Sequence, residues 1–200
     1  MRDVKPPEVR KAEILNASLK LFMEKGYLKT TTQDIIQSVG ISRGLLYYHF
    51  KNKEEILYIL VENTMHPVIK NIQSVVNDTK LNALEKVNKF LEITVIDESS
   101  VTVESKTLQE SISLKTNQYM MDQLNHKLVQ EVVPLFTQII EEGNRTGLFD
   151  VTTPTETAFF LITGYAFVAS SLKFTIQTEA ELKNYQKSFK DIFERTLISN

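Results

Sequence analysis

The 200-residue chain has no cysteine, which excludes disulfides, thiolate metal sites and cysteine nucleophiles. It also lacks any run of about 18 consecutive apolar residues, the length that a membrane-spanning helix requires. Met1 to Pro7 is polar and charged, without the apolar core of a secretory signal, so a cytoplasmic location is the expectation. Internal repeats, low-complexity tracts and hairpin signals are missing too. So are catalytic constellations: there is no Ser/His/Asp arrangement, no phosphate-cradling glycine loop and no carboxylate pair with a plausible cleft. His66 and His126 lack metal-ligand spacing. No catalytic residue, metal or cofactor is expected, and an enzyme ranks last among the function classes.

Strong net charge is absent as well. The formal net charge is −2, which rules out a generic polyanion binder, but its distribution is uneven. Residues 1–65 carry ten Lys/Arg against eight Asp/Glu, giving +2, while the remainder carries thirteen against seventeen, giving −4. A slightly basic end on an acidic body suits a protein that uses one end on DNA.

What is present is helical periodicity. Ile14, Ser18, Leu21 and Phe22 share one face of a helix from Val9 to Lys25, stopped by Gly26. Thr31 with Asp34 three residues on forms a capping box that starts a short helix carrying Ile35, Ile36 and Val39, which Gly40 ends. Ser42 caps a third helix, Arg43 to about His49, and Asn52 with Glu55 starts a fourth, bending at Pro67 and ending near Asp78. Further on, Pro134 is expected to kink or restart a helix, and Gly143 and Gly147 to bracket a turn at 144–146. Thr153-Pro154-Thr155-Glu156 is a strong helix start. The last helix carries a stripe of Leu182, Tyr185, Phe189, Ile192, Phe193 and Leu197. Residues 97–120 show poor periodicity. The fold class is all-α.

Three short helices with a Gly40-Ile41 turn between the second and third match a helix-turn-helix. Burying Leu46 and Phe50 against Ile35 and Val39 leaves Arg43, Gly44, Leu45, Tyr47, Tyr48 and His49 around the remaining arc of the third helix. Without a Cβ, Gly44 lets the helix backbone approach DNA closely. Thr32 and Ser42, at two helix N-termini, can offer hydroxyls and free N–H groups to phosphates. The bland alternatives are a half-buried Tyr47–Tyr48 pair and a His49 that merely caps its helix.

The stretch from Ile14 to Leu60, with Phe22, Gly26-Tyr27, Thr30-Thr31-Thr32, Ile35, Gly40-Ile41-Ser42, Gly44, Leu46-Tyr47, His49-Phe50, Lys53 and Leu57, resembles the TetR/AcrR family of bacterial repressors. The resemblance implies that Arg43, Leu45, Tyr47, Tyr48 and His49 meet bases and backbone, with Thr32, Ser42 and Lys53 on phosphates. Leu45 departs from the small or polar residue common in the family; it can touch a thymine methyl but cannot hydrogen-bond a base edge.

These readings divide the chain into a DNA-binding head at 1–52 and a helical regulatory body at 53–200. The expected partners are double-stranded palindromic operator DNA, a second copy of the chain and a small lipophilic ligand. Candidate ligand contacts are Phe90, Met120, Met121, Phe136, Phe160 and Tyr165, with core filler as the plainer reading of each. If Tyr165 is buried, its hydroxyl needs a partner, which a ligand could supply. The helix from Pro154 is apolar nearly all round and needs burial on every side, so Phe159 and Phe167, with Leu182, Tyr185, Phe189, Ile192 and Phe193, are the candidate dimer interface. A ligand in the body would shift the fourth helix and the spacing of the two heads, lowering affinity for half-sites of fixed spacing. Two rivals share the head: a regulator answering to a protein partner, and an architectural DNA-associated protein with no effector.

Overall fold

Every regular element is an α-helix among the described residues of the computed structural model, which are 5–94, 114–172, 176 and 178–198. In chain order they are α1 (Pro7–Lys25), α2 (Thr32–Val39), α3 (Arg43–His49), α4 (Lys53–Val76), α5 (Ala83–Thr94), α6 (Leu114–Thr146), α7 (Pro154–Leu172) and α8 (Glu179–Leu197). Several begin where the chain supplies its own cap. Thr31 and Asp34 close a reciprocal capping box on α2, and Thr178 and Glu181 do the same for α8. At α4 the Asn52 Oδ1 accepts from the Glu55 N–H at 2.8 Å, while the Glu55 carboxylate reaches one residue further back, to the Lys51 N–H at 2.5 Å. Gly40 ends α2 at φ 70°, a left-handed position that glycine takes without a Cβ penalty, and its N–H closes on the Ile36 carbonyl at 3.0 Å.

Neither internal proline breaks its helix. α4 continues through Pro67, and α6 runs through Pro134 without restarting. A proline forfeits one backbone hydrogen bond. Around Pro134 the buried Val132, Val133 and Phe136 anchor the turns on both sides. The turn expected at 144–146 also lies one step later, because α6 runs to Thr146 and Gly147 then takes φ 73°.

The chain divides into two compact units: Met1–Thr64 with Thr107–Gln123, and Met65–Lys106 with Leu124–Asn200. α4 and α6 each have residues in both units. Of the stretch read as poorly periodic, 97–120, residues 97–113 lie outside the described residues.

In the first unit, Ile14, Leu15 and Phe22 of α1, Ile35 and Ile36 of α2, Leu46 of α3 and Phe50 after it, and Ile56, Leu57, Leu60 and Val61 of α4 are buried. Each such side chain contributes about 1.5–3 kcal/mol by leaving water. In the second unit five rings pack together. Phe90 lies 5.0 Å from Phe136, 6.0 Å from Tyr165 and 6.3 Å from Phe193, and Tyr165 stands edge-on to Phe189 at 4.8 Å. The buried Lys86 of α5 pairs with Glu142 of α6 at 2.6 Å, which satisfies the charge that this core encloses.

Candidate nucleic-acid interface on α2 and α3

Burial of one side of α3 fixes which side faces out. Leu46 is fully buried, and Phe50, four residues on, is its neighbour on the same face. Arg43, Gly44, Tyr47 and Tyr48 are therefore exposed, while Leu45 and His49 flank them half-buried. A Cβ built on Gly44 meets nothing within 4 Å, so the backbone there is open to an approaching surface. The Ser42 hydroxyl accepts from the Leu45 N–H at 3.2 Å and so starts α3. His49 lies edge-on to Tyr48 at 5.0 Å and tilted to Phe50 at 6.4 Å, bridging the exposed and buried faces.

Thr32, the first residue of α2, comes to the same surface: its Oγ1 lies 3.5 Å from the Tyr47 hydroxyl. The Arg43 guanidinium lies over the Tyr47 ring, 5.6 Å from its centroid. The sequence gathers these residues onto one helix-turn-helix, but the ordering of Arg43 and Thr32 around Tyr47 was not foreseen. The i, i+4 spacing of Arg43 and Tyr47 was the available signal.

The start of α2 is electrostatically fixed. The Asp34 carboxylate accepts from Lys25 Nζ at 2.7 Å and from the Thr31 hydroxyl and N–H at 2.7 and 2.8 Å. The Lys25 bond first, then the two from Thr31, hold this carboxyl well below the usual carboxylate range. A depressed folded pKa contributes stability that is fully present above the unfolded value of about 4 and is lost as pH falls below it. Asp34→Asn should thus lower the melting temperature by a constant amount between about pH 5 and 7, and by progressively less below about pH 4. Thermal melts across that range test this, and a gap that persists undiminished into acid overturns it.

Lys53, a phosphate contact by the resemblance, is engaged within the protein. Its Nζ donates to the carbonyls of Tyr27 and Thr30 at 2.8 and 2.9 Å and lies 4.2 Å from the Tyr27 ring centroid. Tyr27 in turn stacks on Tyr119 of α6 at 5.0 Å and meets Phe22 edge-on at 5.1 Å. Burial, with Glu54 nearby, pushes the Tyr27 hydroxyl well above its ordinary pKa. The lysine thus clamps the α1–α2 turn onto the start of α4. Lys53→Met keeps the stem and removes the donors, so it should cost the fold about 2 kcal/mol while leaving the salt dependence of DNA binding unchanged. A salt slope reduced by about one would instead return Lys53 to a phosphate.

The residues expected at a ligand site are not brought together as a set. Phe90, Phe136 and Tyr165 share the five-ring core, but Phe160 is 80% exposed on the opposite face of α7. Met120 is buried in the first compact unit, and the Met121 side chain lies outside the described residues. The Tyr165 hydroxyl has its partner within the protein: it lies 2.9 Å from Thr94 Oγ1, a residue the sequence reading missed. Burial pushes the Tyr165 pKa up to about 12, against the opposing effect of Thr94.

The expected dimer face also separates into two sets. Leu182 and Phe193 are 2% and 1% exposed inside their own unit, and Phe189 packs half-buried on Tyr165. Phe159, Phe167, Tyr185 and Ile192 are exposed, as are Phe160 and Val168. α7 thus buries Ala158, Leu161, Ile162, Tyr165 and Ala166 and presents a second apolar face outward. Among the described residues no helix is long and apolar enough to cross a membrane, and no cluster of three or more possible ligands could hold a metal.

Residues 14–58 match the family model described as bacterial regulatory proteins, tetR family. Over 53 residues the chain is 51% identical to IcaR of Staphylococcus epidermidis, a negative transcriptional regulator of the biofilm operon icaADBC; the match covers 26% of this chain and 29% of that protein. Over 80 residues it is 34% identical to the transcriptional repressor KstR2 of Mycolicibacterium smegmatis, covering 40% of this chain and 38% of that one. The chain thus spans only about a third of the length of these curated relatives, 29% and 38%. The solved complex of SmeT with triclosan has the same fold, at a TM-score of 0.64 and 18% identity over 96% of this chain and 93% of that one. The helix-turn-helix over α2 and α3 thus lies in the part of the chain that matches the tetR family model and these transcriptional regulators, while the likeness to SmeT extends the all-helical fold over nearly the whole chain.

Proposed function

We propose that this protein is a homodimeric transcriptional repressor that reads a palindromic operator through α3 and is released by a small lipophilic effector. The observation that carries the reading is the outward face of α3, where Arg43, Tyr47 and Tyr48 surround a glycine with open space over it. Arginine and tyrosine supply donors for base edges and phosphates, and the bare backbone permits a close approach. Thr32, Ser42, Leu45 and His49 complete the proposed contact surface. Selection from a random pool of duplexes with the full chain tests this. Enrichment of a two-fold symmetric sequence is the expected result, and no enrichment overturns it.

A second copy is the proposed partner for the outer face of α7 and the adjoining flank of α8. Large apolar side chains gathered on one surface mark an interaction site. Phe160→Glu combined with Phe167→Glu should convert the protein from a dimer to a monomer of 23.0 kDa in sedimentation equilibrium and lower operator affinity with it. A parent already monomeric at micromolar concentration overturns the assignment.

The effector reading rests on the aromatic wall of Phe90, Phe136 and Tyr165 in the second unit, and on the triclosan bound by SmeT. Phe160 and Met120 are not part of this wall. Triclosan is therefore the first probe: it should raise the melting temperature and release operator DNA. If neither triclosan nor a panel of similar lipophilic phenols does so, control by a protein partner is favoured instead.

A further inference from the structure

Tyr47 sits at the centre of the proposed DNA face, yet its own atoms are engaged with protein groups on two sides. Its hydroxyl lies 3.5 Å from Thr32 Oγ1. Thr32 lies within the Thr31–Asp34 capping box, so that end of the ring lies beside the capped first turn of α2. On the other side the Arg43 guanidinium lies 5.6 Å from the ring centroid. Arg43 and Tyr47 are four residues apart on one face of α3, and Gly44 beside them has no side chain to intervene.

We infer that Tyr47 is a positioning residue that holds Arg43 for bidentate recognition of one guanine in each operator half-site. The inference rests on the DNA-binding reading above. A guanidinium is a planar fork of donors, and in the major groove guanine presents the matching pair of acceptors, O6 and N7. Contact with a phosphate tolerates many directions of approach, whereas contact with a base edge requires one. A long, flexible side chain loses rotamer freedom when it adopts that direction, and support from an aromatic face removes part of the loss before DNA arrives. Tyrosine is suited to the task because its ring offers a face to the cation while its hydroxyl end lies beside Thr32 at the start of α2.

The test is a double-mutant cycle on the full chain, with the operator taken from a random duplex pool and each of its G·C pairs replaced in turn by A·T. For the parent, one pair per half-site should cost about tenfold or more when replaced. Arg43→Ala should abolish that discrimination. Tyr47→Ala should remove most of it, and should remove nothing further in the Arg43→Ala background. Tyr47→Phe retains the ring and should retain most of the discrimination. Thermal melts of each variant separate a lost fold from a lost contact. If Tyr47→Ala weakens all duplexes equally and adds to Arg43→Ala, the tyrosine acts through its own DNA contact and not through Arg43, and the inference is overturned. It is equally overturned if Arg43→Ala lowers affinity uniformly with a smaller salt slope, since Arg43 would then contact phosphate. Failure of the parent to enrich any sequence overturns the DNA-binding reading, and this inference with it.

Discussion

Gly44→Ala is expected to leave the protein as stable as the parent, or slightly more so, and to lower specific operator affinity by tenfold to a hundredfold. The two effects separate because the position has two environments. Within the protein an added Cβ meets nothing within 4 Å, so no packing is disturbed. In an exposed helical turn, alanine is favoured over glycine by up to about 1 kcal/mol. On DNA the same methyl would stand between the α3 backbone and the groove, and a surface packed without room for it incurs about 1–3 kcal/mol of overpacking. That range corresponds to the stated loss. Fluorescence anisotropy on the selected operator, with a melt on the same sample, gives both readings. Unchanged affinity together with unchanged stability would mean that α3 does not approach DNA at this residue, and the docking face would have to move.

The parts of this molecule legible in its sequence are those settled within a turn or two of chain. The capping box at Thr31–Asp34, the Asn52 cap on the Glu55 N–H, the Gly40 stop and the split of α3 into buried Leu46 and exposed Tyr47 all depend on neighbours at i+1 to i+4. What escaped depends on residues that folding brings together. Lys53 has the spacing of a phosphate ligand, but its acceptors lie 26 and 23 residues earlier, on a turn whose carbonyls point toward α4. The partner of Tyr165 lies 71 residues away, and spacing carries no record of it.

Phase was the other limit. The stripe on α8 contains two adjoining arcs: Leu182, Phe189 and Phe193 turn inward, while Tyr185 and Ile192 lie on the outer flank. An apolar stripe broader than the core it faces does not say which edge is buried. α7 posed the same problem more sharply. With apolar residues on nearly every side it has no polar face to fix its rotation, so Phe160 could be assigned to the interior although it lies outside. The same ambiguity is what gives α7 two apolar faces, one spent on its own core and one left for the proposed partner copy.

Gly143→Ala should have the largest effect on stability, although it adds a single methyl group. An ideal Cβ at this position would lie 1.9 Å from Cδ2 of Phe149 and 2.5 Å from both its Cγ and Cε2. Relief by a small shift is not available, because Phe149 is a buried ring of the core and not the free end of a flexible chain. The backbone is held as well. The Gly143 carbonyl accepts from the N–H groups of Leu148 and Phe149 at 2.9 and 3.1 Å. Asn144 binds the Val151 backbone in both directions, at 2.8 and 3.0 Å, so the segment after α6 is pinned beyond the ring too. Overpacking of a constrained core site costs about 1–3 kcal/mol and sometimes more, and the contact distances here place the variant at the upper end, about 3 kcal/mol. For a protein of this size that corresponds to a fall in melting temperature of roughly 6–12 °C. Phe149→Leu alone should also destabilise, by leaving a cavity, yet combined with Gly143→Ala it should restore part of the loss, since the smaller side chain can turn away from the new methyl. Strict additivity of the two changes, or a Gly143→Ala melt within a degree of the parent, would show that α6 and the segment after it are not fitted around this glycine.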